Sequence, residues 1–511
     1  MPGVQLLRRR IQRLYEGEAA TSFGELNLPA HSEEFFERQF LRSTRDSLPR
    51  LILALTGKYA SNDEMLRWES LSQLGGSPLR AKIRATIRSR DSRELELIAA
   101  DYVVDVTRLS LHAKTSGIPR VLTNLITSAA AEGCVLAVWN RGALAPVEMD
   151  RLGKLNFPKQ YWRRKPGLTK AVQAMFAIRA TRLGAILLFP LERLGLIKLA
   201  GKWLTQFSVR PNRRSLARVN IDLTNARIFI GEIPESRNSQ RLTSWVAAGN
   251  YTDVGVFVHD LLPLSHPTYF NQSATTNHLA LLRIASIAKR VVTSSELLRD
   301  QTRNTLKGLF GVAPPVSVAE LPVSFDVKSY GGQTTRDHFC FIGGFEKRKG
   351  LDVALRAWRR LGPVVGQLRV VGSPSPMKPD ELELVRLAKN AEGVQLLGRL
   401  TDAELVEVVS SAKAVVYLSL AEGYGLPILE ALYLGVPVIC SDTPINRFFS
   451  SKYGGVRLVP REGGSSDAEE LGRALADHGE IFRLRREIKR GRIPVDVEAW
   501  AQDVLGGGQT A

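Results

Sequence analysis

Cysteine is scarce in this chain of 511 residues, which contains only three. Cys134, Cys340 and Cys440 lie far apart in apolar stretches, without a Cys-x-x-Cys pair or a Cys/His spacing typical of a metal site. This pattern argues against a disulfide-rich secreted scaffold and against a zinc module. The three thiols are instead predicted to be reduced core residues of a cytoplasmic protein.

Long apolar runs are also missing, because no stretch reaches the roughly eighteen apolar residues that a membrane-spanning helix needs. The first residues, MPGVQLLRRRIQRLYEGEAA, carry arginines where a signal peptide has its apolar segment, so secretion is not expected. The hydrophobic content of 44% is nevertheless ordinary for a globular protein, and a chain of this length is predicted to form two or three domains.

Acidic residues are almost absent from one segment. The whole chain has 70 Lys and Arg against 51 Asp and Glu, a net charge of +19. Between Arg151 and Arg218 sixteen basic residues accompany a single acid, Glu192, so this segment alone carries +15. Because Trp162, Trp203 and other apolar residues are interleaved with these charges, the segment is predicted to bind an anionic membrane surface. A solvated insert is the alternative, and nucleic acid is not expected because no nucleic-acid motif is present.

The most informative stretch runs from Ala414 to Ser441, AVVYLSLAEGYGLPILEALYLGVPVICS. An apolar, β-branched run predicts a buried parallel strand, a glycine loop follows, and an apolar pattern with Pro427 in its first turn predicts a helix. A glycine loop at a helix N-terminus offers unpaired amides to a phosphate or to sugar hydroxyls. Glu422 and Glu430 flank the loop and could accept hydrogen bonds from a nucleotide sugar. Alternatively, Glu422 caps the helix and Glu430 lies on a solvated face.

This stretch resembles the donor-site signature of GT-B fold glycosyltransferases of the large retaining family four group, E-G-[FY]-G-L-P-x-x-E-A-x-x-x-G-x-P-V, and fills each of its fixed positions. The resemblance implies that Glu430 accepts hydrogen bonds from the ribose and Glu422 from the donor hexose. It also implies that backbone amides of the loop bind sugar and phosphate, namely those of Gly423, Tyr424, Gly425 and Leu426. No Asp-x-Asp pair occurs in the chain, which agrees with a site that uses no metal and no other cofactor.

A second glycine-rich turn, from Gly343 to Gly350, follows another predicted strand. Its basic pair, Arg348 and Lys349, can neutralise the charge that develops on a departing diphosphate, unless both side chains are simply solvated. The family places a Lys before the helix, matched here by Lys349, and often an Arg directly after the first glycine, where this chain has Gly344. Arg348 is the expected substitute for that arginine.

Two further candidates lie earlier in the chain. Gly117 stands between a predicted strand and a predicted helix, in a strand-loop-G-I-x-R-V arrangement that resembles the acceptor side of the family's cleft, although a simple turn is the alternative. His259 follows the predicted strand 254–258 in the sequence HDLLPL, which resembles the family's H-D-x-x-P-L element. The resemblance implies that His259 shields or hydrogen-bonds the oxocarbenium-like sugar, whereas the residues alone also allow a structural histidine.

The predicted fold class is α/β, a GT-B arrangement of two Rossmann-like domains facing a cleft, with a helical N-terminal extension. The predicted units are the helical extension 1–98, the acceptor domain 99–325 with its basic insert 151–218, the linker 314–335 and the donor domain 336–511. In the extension, Trp68, Leu71 and Leu74 are predicted to share one helix face before a break at Gly75. The extension faintly resembles the small helical domain of unknown function called DUF4214, found in bacterial surface-polysaccharide proteins.

The resemblance implies a retaining glycosyltransferase that moves a hexose, with mannose favoured, from a nucleotide-diphosphate sugar to a hydroxyl of a lipid-linked glycan in bacterial surface-polysaccharide synthesis. The expected partners are the nucleotide-sugar donor, the glycan acceptor and, through residues 151–218, the inner face of the cell membrane. Two alternatives stay open at this point. One is a nucleotide-sugar epimerase of the same fold, and the other is a non-enzymatic membrane scaffold with a vestigial donor pocket.

Overall fold

A computed structural model describes most of the chain outside the basic insert. The described ranges are 32–44, 46–88, 94–107, 117–140, 142–149, 155–156, 162–164, 209–211, 217–247, 252–323, 337–374, 379–461 and 466–506. Most of the predicted membrane-binding segment therefore lies outside the described residues, as do the predicted loop 110–116 and the later part of the predicted linker. Within the described ranges, no helix combines the length and the apolar character that crossing a bilayer requires.

Within the described residues, four helices precede the first strand. They are α1 (Ser32–Arg42), α2 (Leu48–Thr56), α3 (Asn62–Leu74) and α4 (Gly76–Arg88). The sequence sets the ends of α3 locally, because Ser61 and Glu64 form a capping box at its start and Gly75 ends it, as predicted. Trp68 is buried on this helix, whereas Leu74, which was predicted to share its face, is 73% exposed at the end of the helix.

Tyr59 joins these helices to the first α/β domain. Its ring packs edge-on against Trp139 and Trp245, with centroid distances of 5.6 and 5.0 Å, and its hydroxyl donates to the Ile221 carbonyl oxygen at 2.7 Å. Buried side chains of α1 to α4 and of the domain's main sheet form one continuous core. The helical prefix is therefore built into this domain.

The first α/β domain is organised around a seven-stranded sheet. The described strands of the whole domain, including those of three two-stranded sheets, are β1 (Glu94–Ala99), β2 (Tyr102–Asp105), β3 (Val135–Asn140), β4 (Ala143–Pro146), β5 (Glu148–Met149), β6 (Leu155–Asn156), β7 (Trp162–Arg164), β8 (Val209–Pro211), β9 (Ala217–Asp222), β10 (Arg227–Ile230), β11 (Asp253–Val258), β12 (Arg290–Thr293) and β13 (Val316–Val318). Its helices are α5 (Gly117–Ala131), α6 (Ser236–Ala247), α7 (Leu262–Ser265), α8 (Gln272–Ala285) and α9 (Glu296–Phe310). The sheet order is β13-β12-β11-β10-β2-β3-β4, and only the β3/β4 pair is antiparallel.

Two elements of this domain differ from the prediction. Residues 94–98 were predicted to be helical but belong to β1, which pairs in parallel with β9 more than a hundred positions further along the chain. β13 lies inside the predicted linker and extends the sheet beside β12. In both strands a distant partner decides the conformation, because an isolated strand satisfies none of its backbone hydrogen bonds.

The second α/β domain has a six-stranded, wholly parallel sheet in the order β16-β15-β14-β17-β18-β19. The strands are β14 (His338–Ile342), β15 (Gln367–Val371), β16 (Val394–Gly398), β17 (Ala412–Tyr417), β18 (Val438–Ser441) and β19 (Val456–Val459). The helices are α10 (Leu351–Leu361), α11 (Pro379–Lys389), α12 (Asp402–Ser410), α13 (Leu426–Tyr433), α14 (Pro444–Tyr453), α15 (Ser466–Ala476), α16 (His478–Glu487) and α17 (Val497–Leu505). The prediction of two parallel-sheet α/β domains with a helical N-terminal region is confirmed.

Helix α17 returns from the second domain to the first. Trp500 donates its indole N–H to the Ala319 carbonyl oxygen at 3.3 Å, and the Tyr102 hydroxyl donates to the Leu505 carbonyl oxygen at 2.6 Å. Trp500 also packs edge-on against Phe257 of β11, with ring centroids 6.2 Å apart. These contacts attach α17 to the first domain.

Candidate active site

The candidate site lies where the strand order of each sheet reverses. In the second domain the chain starts at β14 in the middle of the sheet, runs outward to β16, and returns to β17 on the other side of β14. In the first domain the equivalent reversal lies between β2 and β10. Ligands of open parallel sheets bind outside the carboxyl ends of strands at such reversals, because the connecting loops diverge there and leave a crevice.

The glycine loop after β17 is shaped by close approach and by backbone conformation. Gly425 has φ of +102° at the N-cap of α13, a value that residues with a side chain rarely adopt. Tyr424 turns its ring into the domain core, edge-on to Phe449 with a centroid distance of 5.2 Å. The loop therefore presents backbone, and not the Tyr424 ring, at the start of α13 where Leu426 begins the helix.

The structure does not support the alternative in which Glu422 caps the helix and Glu430 lies on a solvated face. No side chain caps α13, since its N-cap is Gly425, and Glu422 pairs with basic residues instead. Glu430 is only 7% exposed on α13 and so does not lie on a solvated face. Glu422 thus lies at the start of the glycine loop, and Glu430 lies in the second turn of the helix that follows it.

Glu422 forms an ion cluster with the basic pair of the other glycine-rich turn. Its Oε1 is in close contact with Lys349 Nζ and lies 3.3 Å from Arg348 Nη1, and each of the three side chains is less than a fifth exposed. Burial would raise the pKa of Glu422, but the charges of Lys349 and Arg348 outweigh it and lower the pKa. The carboxylate is therefore ionised at neutral pH, and the cations are not simply solvated.

The basic turn is held by Arg461, which the sequence analysis did not identify. Its guanidinium donates to the carbonyl oxygens of Arg348 at 2.7 Å and Lys347 at 2.9 Å, and it also contacts that of Leu418. The Leu420 amide donates to the same Arg348 oxygen at 2.9 Å, which ties the loop after β17 to the turn. No local pattern marks Arg461, because its partners are backbone atoms more than forty positions away.

His259 lies at the carboxyl end of β11 and is buried. Its Nε2 is 2.6 Å from the Gly231 carbonyl oxygen, which can only accept, so Nε2 carries the proton and Nδ1 is an acceptor. Burial lowers the pKa of His259, which keeps the imidazole neutral. The ring packs beside Phe257, with a centroid distance of 4.6 Å.

The two domains meet where His259 and Gly423 lie. A Cβ at Gly423 would be 2.5 Å from the His259 carbonyl oxygen and 2.7 Å from Asp260 Cβ, so only glycine fits between them. Asp260 accepts from the Leu262 amide at 2.9 Å and lies 3.3 Å from His278 Nε2. Burial would raise the pKa of Asp260, but the hydrogen bond and charge of His278 lower it. Asp260 and His278 thus hold the backbone that Gly423 contacts.

The first domain supplies two more side chains that the sequence analysis missed. The Phe270 ring lies over the Arg348 guanidinium, 5.9 Å from its Cζ, and so covers a cation of the other domain. Asp105 ends β2 at the reversal of the first sheet and accepts from the Thr107 amide at 2.9 Å. Burial raises the pKa of Asp105 to about 6, although the Thr107 hydrogen bonds oppose the rise. Neither residue belongs to a motif.

Two predicted glycines remain, Gly344 and Gly117. Gly344 lies on the loop after β14, and a Cβ there would meet nothing closer than Glu346 Oε1 at 3.9 Å, so close packing does not require glycine. Gly117 is the first residue of α5, while the loop before it lies outside the described residues. In the ranges that the structure describes, no group of three His, Cys, Asp or Glu side chains could hold a metal ion.

Part of the chain is similar to known proteins. Residues 324–462 match the family model described as Glycosyl transferases group 1. The chain is 35% identical over 106 residues to O-antigen chain mannosyltransferase B of Escherichia coli, which is 20% of this chain and 28% of that relative. It is 30% identical over 120 residues to GDP-mannose:cellobiosyl-diphosphopolyprenol alpha-mannosyltransferase of Komagataeibacter xylinus, which is 23% of this chain and 30% of that relative.

Among solved structures, one from E. coli described as trehalose-6-phosphate bound with UDP-2-fluoro glucose is similar with a TM-score of 0.50 and 14% identity, over 80% of this chain and 98% of that one. This likeness concerns the fold and confirms the predicted GT-B class. The chain spans less than a third of the length of the two curated relatives. The segment that matches glycosyl transferases group 1, residues 324–462, is the one that carries Lys349, Glu422 and Glu430.

Proposed function

We propose that this protein is a retaining glycosyltransferase that moves mannose from a nucleotide-diphosphate sugar to a hydroxyl of a lipid-linked glycan, in bacterial surface-polysaccharide synthesis. The observation that carries the proposal is the buried cluster of Lys349, Arg348 and Glu422 at the reversal of one sheet, opposite His259 of the other. The family match over residues 324–462 supports the reaction class, and the names of the two mannosyltransferase relatives support the sugar.

Each side chain of the cluster has a defined part in the proposed reaction. The bond between the sugar and the diphosphate breaks, so negative charge develops on the diphosphate. Lys349 and Arg348 are placed to stabilise that charge, and their low exposure strengthens the attraction. Glu422 keeps both cations in position before the donor binds and accepts hydrogen bonds from hexose hydroxyls.

His259, on the first-domain side of the cleft, is suited to the positive charge that develops on the sugar when its bond to the diphosphate breaks. A neutral His259 does not repel a developing positive charge. Because Nε2 donates its proton to the Gly231 carbonyl oxygen, Nδ1 is left to accept a hydrogen bond from the sugar. On the donor side, Glu430 is proposed to accept hydrogen bonds from the ribose hydroxyls, and the amides after Gly423 to bind sugar and phosphate. No metal or other cofactor takes part in this proposal.

The first test is thermal stabilisation by nucleotides. We expect GDP and GDP-mannose to raise the melting temperature more than UDP, TDP, ADP and their sugars, since a ligand at a hundred times its Kd adds about 2.7 kcal/mol of stability. The shift should persist in EDTA and disappear in Glu430→Ala, whereas Glu407→Ala, an exposed acid on α12 of the same domain, should keep it.

Either of two results would contradict the assignment. Stabilisation that requires a divalent metal would exclude the proposed site chemistry. A folded protein that responds to no nucleotide would favour the membrane scaffold. If nucleotide binds, release of GDP from GDP-mannose that depends on an added glycan acceptor separates a transferase from an epimerase.

The membrane part of the proposal rests on composition. Residues 151–218 carry +15, and basic residues near an anionic surface contribute about 1 kcal/mol each. Deleting residues 160–214 is therefore expected to reduce cosedimentation with anionic liposomes more than cosedimentation with neutral liposomes. Equal sedimentation of the full chain and the deletion variant with anionic liposomes would refute this part and would leave the donor site unaffected.

A further inference from the structure

The helical prefix contains a cavity that the proposed reaction does not use. Its volume is about 350 Å³, and it lies between α2, α3 and α4 and the segment that joins α2 to α3. A volume of this order falls in the range of pockets for small ligands, about 300 to 1,000 Å³. The cavity is therefore large enough for a single phosphorylated sugar.

The lining of the cavity has an excess of positive charge. Lys58, Arg67 and Lys82 come from three different elements and converge on the space, whereas Glu64 is the single acid of the lining. Glu64 is already engaged, because it accepts from the Ser61 amide at 2.8 Å and lies 3.8 Å from an Arg241 nitrogen. Three cations in one concavity repel each other, so an anion bound there would be stabilised by all of them.

Arg67 and Lys82 are two of the three exposed cations of the lining. In the part of the chain that the structure describes, no carboxylate forms an ion pair with Arg67 or Lys82. Lys82 instead holds its ammonium 5.9 Å from the centroid of the Trp68 ring, a cation–π contact that positions it at the cavity. Both cations are thus available to a ligand without the cost of breaking an ion pair.

The rest of the lining suits the carbon skeleton and hydroxyls of a sugar. Glu64 Oε1, which is not the oxygen that accepts from Ser61, and the Thr56 hydroxyl oxygen, whose proton is donated to the Ile52 carbonyl oxygen, can accept hydrogen bonds from sugar hydroxyls, while Ile52 and Trp68 supply an apolar floor. A bare inorganic anion would use the cations and leave this floor unfilled. Phosphate with an attached saccharide uses both parts of the lining.

We propose that this cavity, lined by Lys58, Arg67, Lys82, Thr56 and Trp68, is a binding site for a phosphorylated saccharide, separate from the donor site. The ligand could be a free sugar phosphate or the phosphosaccharide head of a lipid-linked glycan, since the two share the groups that the cavity recognises. The proposal does not depend on the proposed transferase activity.

The test is calorimetric titration of the Glu430→Ala protein, in which the donor site is disabled, with mannose 1-phosphate, mannose and inorganic phosphate. We expect one site per chain for mannose 1-phosphate, with binding at least about tenfold tighter than for mannose or phosphate. Adding Arg67→Gln and Lys82→Gln should weaken this binding by at least about tenfold. The control removes the same charge from exposed positions of α9, with Arg303→Gln and Lys307→Gln, and should bind like the parent protein.

A farnesyl ester of mannose 1-phosphate identifies the source of the ligand. Tighter binding of the farnesyl form would assign the site to a lipid-linked saccharide, and equal binding would assign it to a free sugar phosphate. Three results would overturn the proposal: no binding of mannose 1-phosphate at millimolar concentration, equal binding of phosphate alone, or equal binding by the Arg67/Lys82 variant. None of them bears on nucleotide binding, which is measured separately at the donor site.

Discussion

Replacing Lys349 by alanine is expected to lower turnover by about a hundred- to a thousand-fold, the usual cost of removing one group that stabilises developing negative charge. The ammonium is in contact with Glu422 and lies 5.5 Å from the centroid of the Tyr417 ring, so it is fixed before a donor arrives. Without it, the departing diphosphate has one cation fewer, and Glu422 keeps only Arg348 as a basic neighbour. Steady-state measurement of GDP release with GDP-mannose and an acceptor reports the loss in kcat.

The matched control for this change is Lys347→Ala. Lys347 is the same residue type in the same short 3₁₀ turn, two positions away, but its side chain is exposed. Its removal is expected to leave kcat within about twofold, because exposed charges interact weakly with the site. Near-normal turnover in Lys349→Ala, or an equal loss in Lys347→Ala, would contradict the proposal that Lys349 stabilises the departing diphosphate. Thermal denaturation of both variants separates a catalytic loss from misfolding.

Replacing Gly423 by alanine is expected to cost about a hundredfold in kcat, because a displacement of about 1 Å between reacting groups has an effect of that size. The added Cβ would lie 2.5 Å from the His259 carbonyl oxygen, a distance that real Cβ atoms essentially never show. Backbone cannot rotate away as a flexible side chain would, so one domain must shift relative to the other. The expected signature is a loss of turnover in a protein whose two sheets remain folded.

The control here is Gly308→Ala on the exposed side of α9, where a Cβ would meet nothing within 4 Å. That change should leave turnover unchanged and raise stability slightly, since alanine favours a helix over glycine by about 1 kcal/mol. Small-angle scattering of the Gly423→Ala protein should show a more open pair of domains. Wild-type turnover in Gly423→Ala would mean that the closed contact between His259 and Gly423 is not part of the working enzyme.

Much of the second domain was predictable from local pattern. The buried run before Glu422, the glycine loop and the helix after it appear in the structure as β17, the loop and α13. Parallel strands buried on both faces are short and almost wholly apolar, and glycines with positive φ mark the ends of the helices next to them. Both patterns depend on residues that are close together in the chain, so they can be recognised in the sequence. The turn from Gly343 to Gly350 was located for the same reason.

Other features had no local signal. β1 was predicted to be helical, and β13 was predicted to be linker, because a strand takes its hydrogen-bond partner from elsewhere in the chain. Arg461 donates to backbone atoms, which every residue possesses, and Phe270 covers Arg348 through its ring face. Contacts of these kinds leave no periodicity and no motif.

Local sequence was enough to predict Lys349, Glu422 and His259 as site candidates, together with the elements that carry them, because helix ends, glycine turns and buried strands depend on residues close together in the chain. The tertiary structure alone decided that Glu422 pairs with Lys349 and Arg348, and that Gly423 lies against His259. It also decided that the helical prefix shares a core with the first domain. Such contacts join segments tens to hundreds of positions apart, and they form only when packing over the whole fold offsets the entropy of bringing those segments together.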